Sequence, residues 1–433
     1  LHNVENENNN EIPESRCRST KLNMSPSVEP FLIQDLDVLL KQTLGDDLEI
    51  KHLQWKALTD PGENFGSIIM AIDVLVKLKN KEKTLHLVGK LPPNSEFLLD
   101  LFNCPVTFNK ELHYYNGIAK EYINIQRESG IQEEDICVVA PGFFGGRLGI
   151  NNPKKFDEQA AILLENLNYS DYVTEDRITG LDKPHTEFAV KMLAKFHALG
   201  IGLKNNKPNY FKETVLPVVE EKLNDTSKKC VHDLIQKTQE TLETMDKVKP
   251  YMQSVNKTIE VSMSLYLGEK EAEEPWATLT HSDMWVNNIL FRHDSQGNVI
   301  DMKIVDFQLL RYDYGMIDLI FFLISSMKKE ILIDCLDEML DLYYDTFVGY
   351  LKKLKVNIEP FTRQKYDEHV KYCALNRFTQ CLMMVQVIQA PRIPPSNDKN
   401  RGDILLNRTL NDVCKEKLLV LLSAFQQKEW LLK

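Results

Sequence analysis

A short strand-forming segment, residues 278–306, interrupts a second half of the chain that is otherwise patterned for helices. Apolar residues recur at helical spacing over residues 185–199 and 214–245, and over most of residues 316–433. Helices cannot share the period-two pattern of strands, so the segment must form a separate β element. The sequence therefore predicts a strand pair set into a mainly helical region.

The first part of the chain has a different texture. Short apolar or alternating runs at residues 50–58, 65–78 and 84–90 are separated by Asp-Pro-Gly and Lys-Asn-Lys turns. Such runs between turn residues are typical of antiparallel strands. The order of elements thus predicts an α+β fold, in which an antiparallel sheet comes first and a mainly helical part follows.

Weaker patterns complete the prediction. A helix is predicted over residues 30–44, ending at Gly45, and another over residues 109–121. Further strands are predicted at residues 137–140 and 160–164. We see no internal repeat.

The same patterns suggest three regions. Residues 1–27 are rich in Asn and Glu, bury too little to offset ordering entropy, and are expected to form a disordered tail. Residues 28–167 are expected to form a first lobe rich in strands. Residues 168–433 are expected to form a helical second lobe, with the chemistry in a hairpin at residues 278–308 and a substrate pocket.

Composition excludes several classes of partner. The net charge of −11 argues against nucleic acid, whose phosphates need a basic surface. The longest apolar run, residues 316–324, is too short to span a membrane. The eight cysteines form no CxxC pair, so free thiols in a reducing compartment are expected, which favours the cytoplasm. The sequence does not indicate an oligomeric state.

Three oxygen-bearing side chains in the β segment suggest phosphoryl transfer. Asp283 and Asn288 are five residues apart, and Asp306 follows an apolar run after the Asp294–Asn298 turn. Phosphoryl transfer needs a carboxylate that orients the attacking hydroxyl and accepts its proton, and two oxygen ligands for magnesium. We expect Asp283 in the first role, and Asn288 and Asp306 as the metal ligands. Taken singly, each residue could equally cap a turn or end a strand.

The surrounding residues resemble a known family. His281, Asp283, Trp285 and Asn288 match the pattern His-Gly-Asp-x-Trp-x-x-Asn of the ecdysteroid-kinase-like family, within the choline-kinase and aminoglycoside-phosphotransferase superfamily. Further matches are Asp306-Phe307-Gln308, Arg311-Tyr312 and Asp318-Leu319. Ser282 replaces the usual glycine, which we do not expect to inactivate the site. The resemblance implies a two-lobed protein-kinase-like fold that uses ATP and Mg²⁺.

The resemblance also implies a nucleotide site in the first lobe. A turn containing Gly62, Asn64, Gly66 and Ser67 would cover the phosphates, although the same residues suit an ordinary hairpin turn. Lys90 would contact the phosphates and Glu111 would position it; alternatively, Lys90 is a surface charge at a strand end. The hinge would contain Glu165 and Leu167, with its backbone bonded to adenine.

The resemblance further assigns supporting roles to three residues. We expect Asp318 to brace the catalytic loop through backbone N–H groups. His281 is expected to act as a structural brace, and His197 to pack and form hydrogen bonds.

Three functions from different classes were weighed. A protein kinase is disfavoured because Gln308 replaces the expected glycine and Asp318 follows twelve residues after Asp306, which leaves no room for an activation segment. An inactive relic is disfavoured because Lys90, Glu111 and the three hairpin residues are all present. A kinase of small-molecule alcohols is therefore expected.

The substrate is less defined by the sequence. The resemblance implies an ecdysteroid or a related sterol, while choline or ethanolamine would need an aromatic cage and a carboxylate. Aromatic and apolar residues of the last helices are candidates for a pocket, although most are expected in the core: Tyr343, Tyr344, Phe347, Tyr350, Phe378 and Met383.

Overall fold

The structure, a computed structural model, describes residues 32–58, 66–220, 224–268, 271–389 and 411–433. Within it, Ile33–Lys433 forms one compact unit; the other unit, Leu1–Leu32, contributes only Leu32 to the described residues. The tail predicted for residues 1–27 lies outside the described residues.

An antiparallel five-stranded sheet occupies the first part of the chain. Its strands run in the order β1-β2-β3-β5-β4. The bounds are β1 Glu49–Ala57, β2 Ile68–Leu78, β3 Lys81–Leu91, β4 Phe143–Arg147 and β5 Ala161–Glu165. Alternate residues of β2, such as Ile72 and Val74, are fully buried, as the period-two pattern requires. The strands predicted at residues 50–58, 65–78, 84–90 and 160–164 are confirmed.

The strand predicted at residues 137–140 is wrong. The side-chain amide of Gln126 bonds both the N–H and the carbonyl of Cys137, so this segment is extended without joining the sheet. The neighbouring strand is β4, which contains two glycines. At Gly145, φ is +151° and a Cβ would lie 2.1 Å from the Leu39 carbonyl oxygen, so only glycine allows the first helix to cross the strand this closely.

Helices make up most of the remaining described chain. Their bounds are α1 Leu36–Leu44, α2 Glu96–Leu101, α3 Cys104–His113, α4 Ala119–Glu128, α5 Lys183–Asn206, α6 Pro208–Tyr210, α7 Leu216–Val219, α8 Asp225–Thr244, α9 Met252–Leu267, α10 Met316–Ser326, α11 Lys329–Lys353, α12 Arg363–Gln389 and α13 Asp412–Gln427. A π-helical turn, Tyr114–Ile118, joins α3 to α4 into one long helix.

Two of the predicted helices differ in extent from the observed ones. The helix predicted for residues 109–121 belongs to this longer α3–α4 unit. The helix predicted for residues 214–245 is broken, because Asn224 begins α8 anew by accepting a hydrogen bond from the Ser227 N–H at 2.9 Å. Helix α1 ends at Gly45 as predicted.

Two small sheets lie within the helical part. Strands β6 Tyr172–Val173, β8 Ile289–His293 and β9 Val299–Ile304 form one of them, and β7 Ala277–Thr280 pairs with β10 Arg311–Tyr314 in the other. Helix α10 is buried on every side, and it contacts α12, α5 and α11. The apolar run at residues 316–324 is thus a core helix, and no described helix has the length and apolar character needed to cross a membrane. The seven described cysteines are free thiols.

Candidate active site

A buried lysine connects the sheet to the hairpin. Lys90 lies near the end of β3, and its side chain is 6% exposed. Its Nζ donates to Glu111 Oε2 at 2.5 Å and to Asp306 Oδ1 at 2.7 Å. Burial alone would lower the pKa of Lys90, but the charges of Asp306 and Glu111 outweigh that effect and raise it. Lys90 is therefore a charged group inside the protein, not a surface residue at a strand end.

Glu111 comes from α3 and is 1% exposed. Burial raises the pKa of its carboxyl group, and the Lys90 ammonium acts in the opposite direction. A buried ion pair of this kind holds its side chains in one geometry, because either charge left alone would be costly.

Asp306 lies directly after β9, where the chain leaves the hairpin. Its backbone is left-handed, with φ 68° and ψ 60°. This turn directs the chain into a short helical turn that begins at Phe307, and the Gln308 side chain lies 3.5 Å from Lys90 Nζ.

Asp283 and Asn288 lie at the same end of the hairpin as Asp306, in the loop before β8. The Asn288 side-chain amide donates to the Asp283 carbonyl at 2.9 Å and to its carboxylate Oδ2 at 3.2 Å. Burial raises the pKa of Asp283 to about 8; the Asp306 carboxylate adds to the rise, while the bond from Asn288 opposes it. The Asp283 carboxyl group thus interacts with both predicted metal ligands, with Asn288 through a hydrogen bond and with Asp306 through its charge.

Asp318 holds the loop that carries Asp283. Its two carboxylate oxygens accept the His281 N–H at 2.6 Å and the Ser282 N–H at 2.7 Å, and His197 Nε2 lies 3.1 Å from one of them. The prediction that Asp318 braces the loop is confirmed by these bonds. His197 Nδ1, in turn, lies 2.7 Å from the Tyr343 hydroxyl, as expected for a packing and hydrogen-bonding residue.

His281 connects the loop before β8 to the end of β9. Its Nε2 bonds the Val305 carbonyl at 2.9 Å, and its Nδ1 accepts the Asp283 N–H at 3.3 Å. Both ring nitrogens are therefore engaged with backbone, which fits the predicted role of a brace.

Phe307, which the sequence matched as part of the Asp-Phe-Gln motif without assigning it a role, is a fully buried anchor. Its ring stacks on Tyr114 with centroids 3.5 Å apart, and it meets Tyr115 and His281 edge-on. The two tyrosines belong to the π-helical turn after α3. Aromatic stacking thus fixes the helix of Glu111 against the segment of Asp306.

The predicted phosphate turn is only partly described. Gly62 and Asn64 lie outside the described residues. Gly66 and Ser67 directly precede β2, and a Cβ at Gly66 would lie 3.8 Å from Gln308 Oε1, which places Gly66 beside the Lys90 cluster. Ser67 is 6% exposed.

The predicted hinge residues follow β5. The Glu165 carboxylate accepts the Gly142 N–H at 3.2 Å and the Ser170 hydroxyl at 2.9 Å, so it joins the residue before β4 to the short helical turn after β5. Leu167 is 4% exposed and begins a short helical turn. The bonds from the hinge backbone to adenine stay a prediction.

Helix α12 contributes polar residues that the sequence did not single out. The Gln380 side-chain amide donates to the Ser282 carbonyl at 3.0 Å. One turn earlier, Arg377 is 2% exposed and its Nε has no hydrogen-bond partner among the described residues. Burial lowers the pKa of Arg311, and repulsion from Arg377 lowers it further, so two guanidinium groups lie close together. The sequence feature that could have drawn attention to these residues is a group of polar side chains within a mostly buried helix.

The aromatic residues considered for a pocket mostly lie in the core. Tyr343, Phe347, Tyr350 and Phe378 are each exposed by 4% or less. Tyr344 and Met383 are partly buried against the same core.

The donor atoms in the hairpin fit magnesium. Asn288 uses its amide nitrogen toward Asp283, which leaves its oxygen as a ligand. Asp306 has a second carboxylate oxygen besides the one that accepts from Lys90. Magnesium prefers such oxygen ligands.

The arrangement defines a class of protein. Protein-kinase-like phosphotransferases pair a strand lysine with a helix glutamate, and they carry an aspartate and an asparagine ahead of the metal-binding aspartate. This chain has the same antiparallel sheet, helical remainder and set of side chains, and its fold is protein-kinase-like. The model of the ecdysteroid kinase-like family matches residues 61–356. That match spans more than half of the chain, and the chain belongs to this family. No curated protein sequence matches it.

Several solved structures show a distant similarity to this chain. An ethanolamine kinase from Plasmodium vivax aligns over 87% of this chain and 84% of its own, with TM-score 0.38 and 11% identity. The amicoumacin kinase hAmiN, solved with AMP-PNP and Ca²⁺, aligns over 89% and 93%, with TM-score 0.38 and 12% identity. A choline/ethanolamine kinase family protein from Mesorhizobium loti aligns over 85% and 92%, with TM-score 0.33 and 10% identity. The identities and TM-scores are too low to support an argument. The assignment of this chain to a family therefore rests on the family match alone.

Proposed function

We propose that the protein transfers the γ-phosphoryl group of ATP to a hydroxyl of a small molecule, with Mg²⁺ as cofactor. One observation carries the proposal. Lys90 Nζ contacts Glu111, 21 residues away, and Asp306, 216 residues away, in a buried cluster. Burying three charged groups is costly, and a phosphate site is the function that such a cluster supports best.

Each side chain then has one task. Asp283 orients the substrate hydroxyl and accepts its proton. Asn288 and Asp306 hold magnesium, which when bound supplies positive charge that offsets the charge developing on the phosphate oxygens. Lys90 binds phosphate oxygens, and Glu111 holds Lys90 in place. We assign Gly66 and Ser67 to the turn that covers the phosphates, and Glu165 and Leu167 to the hinge.

We propose an ecdysteroid or a related sterol as the substrate. Arg311 pairs in register with Thr280, and Arg377 lies one turn before Gln380, whose side-chain amide bonds Ser282, so both residues lie near this loop. The Asp313 carboxyl group interacts with both guanidinium groups, but two arginines against one aspartate leave a positive charge that disfavours a cationic substrate such as choline or ethanolamine. A neutral molecule with several hydroxyl groups instead offers oxygen acceptors to the guanidinium donors.

We propose the cytoplasm as the compartment. Free thiols persist in reducing surroundings, and all seven described cysteines are free.

The test is transfer of labelled phosphate from Mg-ATP to a panel of ecdysteroids, other sterols, choline, ethanolamine and aminoglycosides. Asp283→Ala should lower turnover about 10²–10⁴-fold, the usual effect of losing a general base, while ATP binding is retained. The matched control is Asp294→Asn, which changes an exposed aspartate in the turn of the same hairpin and should keep full activity.

The outcomes separate the alternatives. Transfer to ecdysteroids that is lost in Asp283→Ala and kept in Asp294→Asn supports the proposal. Transfer to choline or ethanolamine instead would refute the proposed substrate. The absence of both transfer and magnesium-dependent ATP binding would show an inactive relic of the kinase fold.

A further inference from the structure

Three metal-binding side chains converge at the end of the hairpin away from the candidate active site. Glu175 follows β6, His185 lies in the first turn of α5, and His293 ends β8. Their donor atoms lie within 4.8 Å of one another, and all three side chains are partly buried. Asn288 and Asp306 lie at the opposite end of the same hairpin, so this cluster is separate from the proposed magnesium site.

Of these three donor atoms, only the two histidine nitrogens are within hydrogen-bond distance of each other. His185 Nε2 and His293 Nε2 are 2.9 Å apart, so at most one proton lies between them. Glu175 Oε1 lies 3.6 Å from His185 Nε2 and 3.9 Å from His293 Nε2. Both distances are too long for a hydrogen bond. The carboxylate is therefore close to both nitrogens but bonded to neither.

The same distances fit a metal ion bound by all three side chains. A point equidistant from the three atoms lies about 2.0 Å from each, which is the usual distance of about 2.0–2.2 Å from zinc to histidine nitrogen or carboxylate oxygen. Two imidazoles and one carboxylate suit zinc and related first-row ions better than magnesium.

A second carboxylate orients one of the ligands. Asp182 Oδ1 lies 2.6 Å from His185 Nδ1 and accepts its proton, which leaves the lone pair of Nε2 pointing to the cluster. Histidine ligands of metals are usually held by such a carboxylate. Asp182 also caps α5 by accepting the His185 N–H at 3.2 Å, so the helix start and the ring are fixed together.

We propose that Glu175, His185 and His293 form a zinc site with an open fourth position for water. The ion would join the start of α5 to the far end of the hairpin, across 108 residues of chain. It would thereby hold in place the hairpin that carries Asn288 and Asp306.

Zinc binding to the full chain tests this proposal. The protein is stripped with a chelator, kept in excess Mg²⁺ to fill oxygen-only sites, and titrated with Co²⁺ and with Zn²⁺ against a chromophoric chelator. One equivalent should bind, with visible Co²⁺ bands typical of tetrahedral nitrogen and oxygen ligands. His293→Gln should weaken zinc binding by more than about 100-fold. Asp182→Asn, which keeps the helix cap, should weaken it about 10–100-fold.

Controls make the result decisive. His86→Gln alters another histidine–aspartate pair, 2.7 Å apart in the sheet, and should leave zinc affinity unchanged. Melting in chelator shows whether each variant folds; if His293→Gln does not, Glu175→Gln on the loop replaces it. Equal zinc affinity in wild type and Glu175→Gln would overturn the proposal, as would Co²⁺ bands of thiolate ligation or no binding.

Discussion

Asp318→Asn should be among the most destabilising single-atom changes in this protein. The side chain is 0% exposed and sits at the start of the buried helix α10. Its two oxygens accept the backbone N–H groups of His281 and Ser282, and one also lies 3.1 Å from His197 Nε2. An asparagine has the same shape but only one acceptor oxygen. Its NH₂ group would therefore face one of these donors, and no water can reach the site.

The magnitude follows from these bonds. A hydrogen bond to a charged group contributes about 1.5–3 kcal/mol, and a buried donor without a partner costs about 1–3 kcal/mol. Asp318→Asn removes the charge from three bonds and replaces at least one of them with a contact between two donors. Because neighbouring groups relax, we expect a loss of about 3–5 kcal/mol in the free energy of unfolding, as for other broken buried pairs.

Urea unfolding followed by tryptophan fluorescence measures the loss. With m of about 3 kcal/mol/M, the midpoint should fall by about 1 M or more. Asp294→Asn is the matched control, since Asp294 also accepts two backbone N–H groups, from Gln296 and Asn298, but in an exposed turn. Its midpoint should shift far less. Equal shifts in the two variants would refute the argument that burial makes the Asp318 bonds strong.

The effect should also depend on pH. Burial alone would raise the pKa of Asp318, but the hydrogen bond and charge of His197 outweigh it and hold the pKa below the ordinary value of 3.8. A lowered pKa in the folded state means that the stabilisation is fully present above the unfolded pKa and is lost as pH falls through the folded pKa. The difference between wild type and Asp318→Asn should thus be constant from about pH 5 to 7 and shrink below about pH 4.

Three further changes test other parts of the structure. Asp306→Ala should weaken Mg-ATP binding at least about 10-fold, or about 1.4 kcal/mol, in calorimetry, whereas Asp283→Ala should not. Ser282→Gly should be about 0.5–1 kcal/mol more stable to urea than Ser282→Ala, because both lose the hydroxyl but only glycine relieves the positive φ; equal stabilities would contradict this strain. Burial lowers the pKa of Lys417 from 10.5 to about 8, so the contribution of Lys417 to stability should rise between those pH values. Lys417→Met should lack that rise, which amounts to about 3 kcal/mol.

The parts of the fold that depend on local pattern could be predicted. The strands of the sheet alternate, and Asp283, Asn288 and Asp306 lie within one hairpin, so spacing alone brings them together. The pairing of Lys90 with Glu111 was predicted from resemblance and not from spacing, since its geometry depends on packing of α3 on the sheet. The apolar run at residues 137–140 was misassigned, because the distant Gln126 side chain bonds the backbone of Cys137, and the bond from Ile304 of β9 to the Val139 carbonyl does not make a strand.

Contacts between distant segments could not be predicted. Gln380 meets Ser282 across 98 residues, and His185 meets His293 across 108. Neither pair is close in any local pattern, and helix periodicity shows only that α12 has a buried face. Such residues become visible as functional candidates only when packing brings them to the same place.

The backbone around the hairpin explains why the identity of residue 282 matters less than the hydrogen bonds that hold this part of the chain. Ser282 and Asp306 both have positive φ, 65° and 68°, at the two points where the chain enters and leaves the hairpin. Each such conformation costs about 1–3 kcal/mol and persists only where neighbours hold it. Asp318 holds the Ser282 N–H, and Lys90 holds the Asp306 carboxylate. A glycine at position 282 would remove the strain there without replacing the hydrogen bond. The geometry of the site therefore depends on Asp318 and Lys90 more than on glycine, which is why a serine is compatible with an active site.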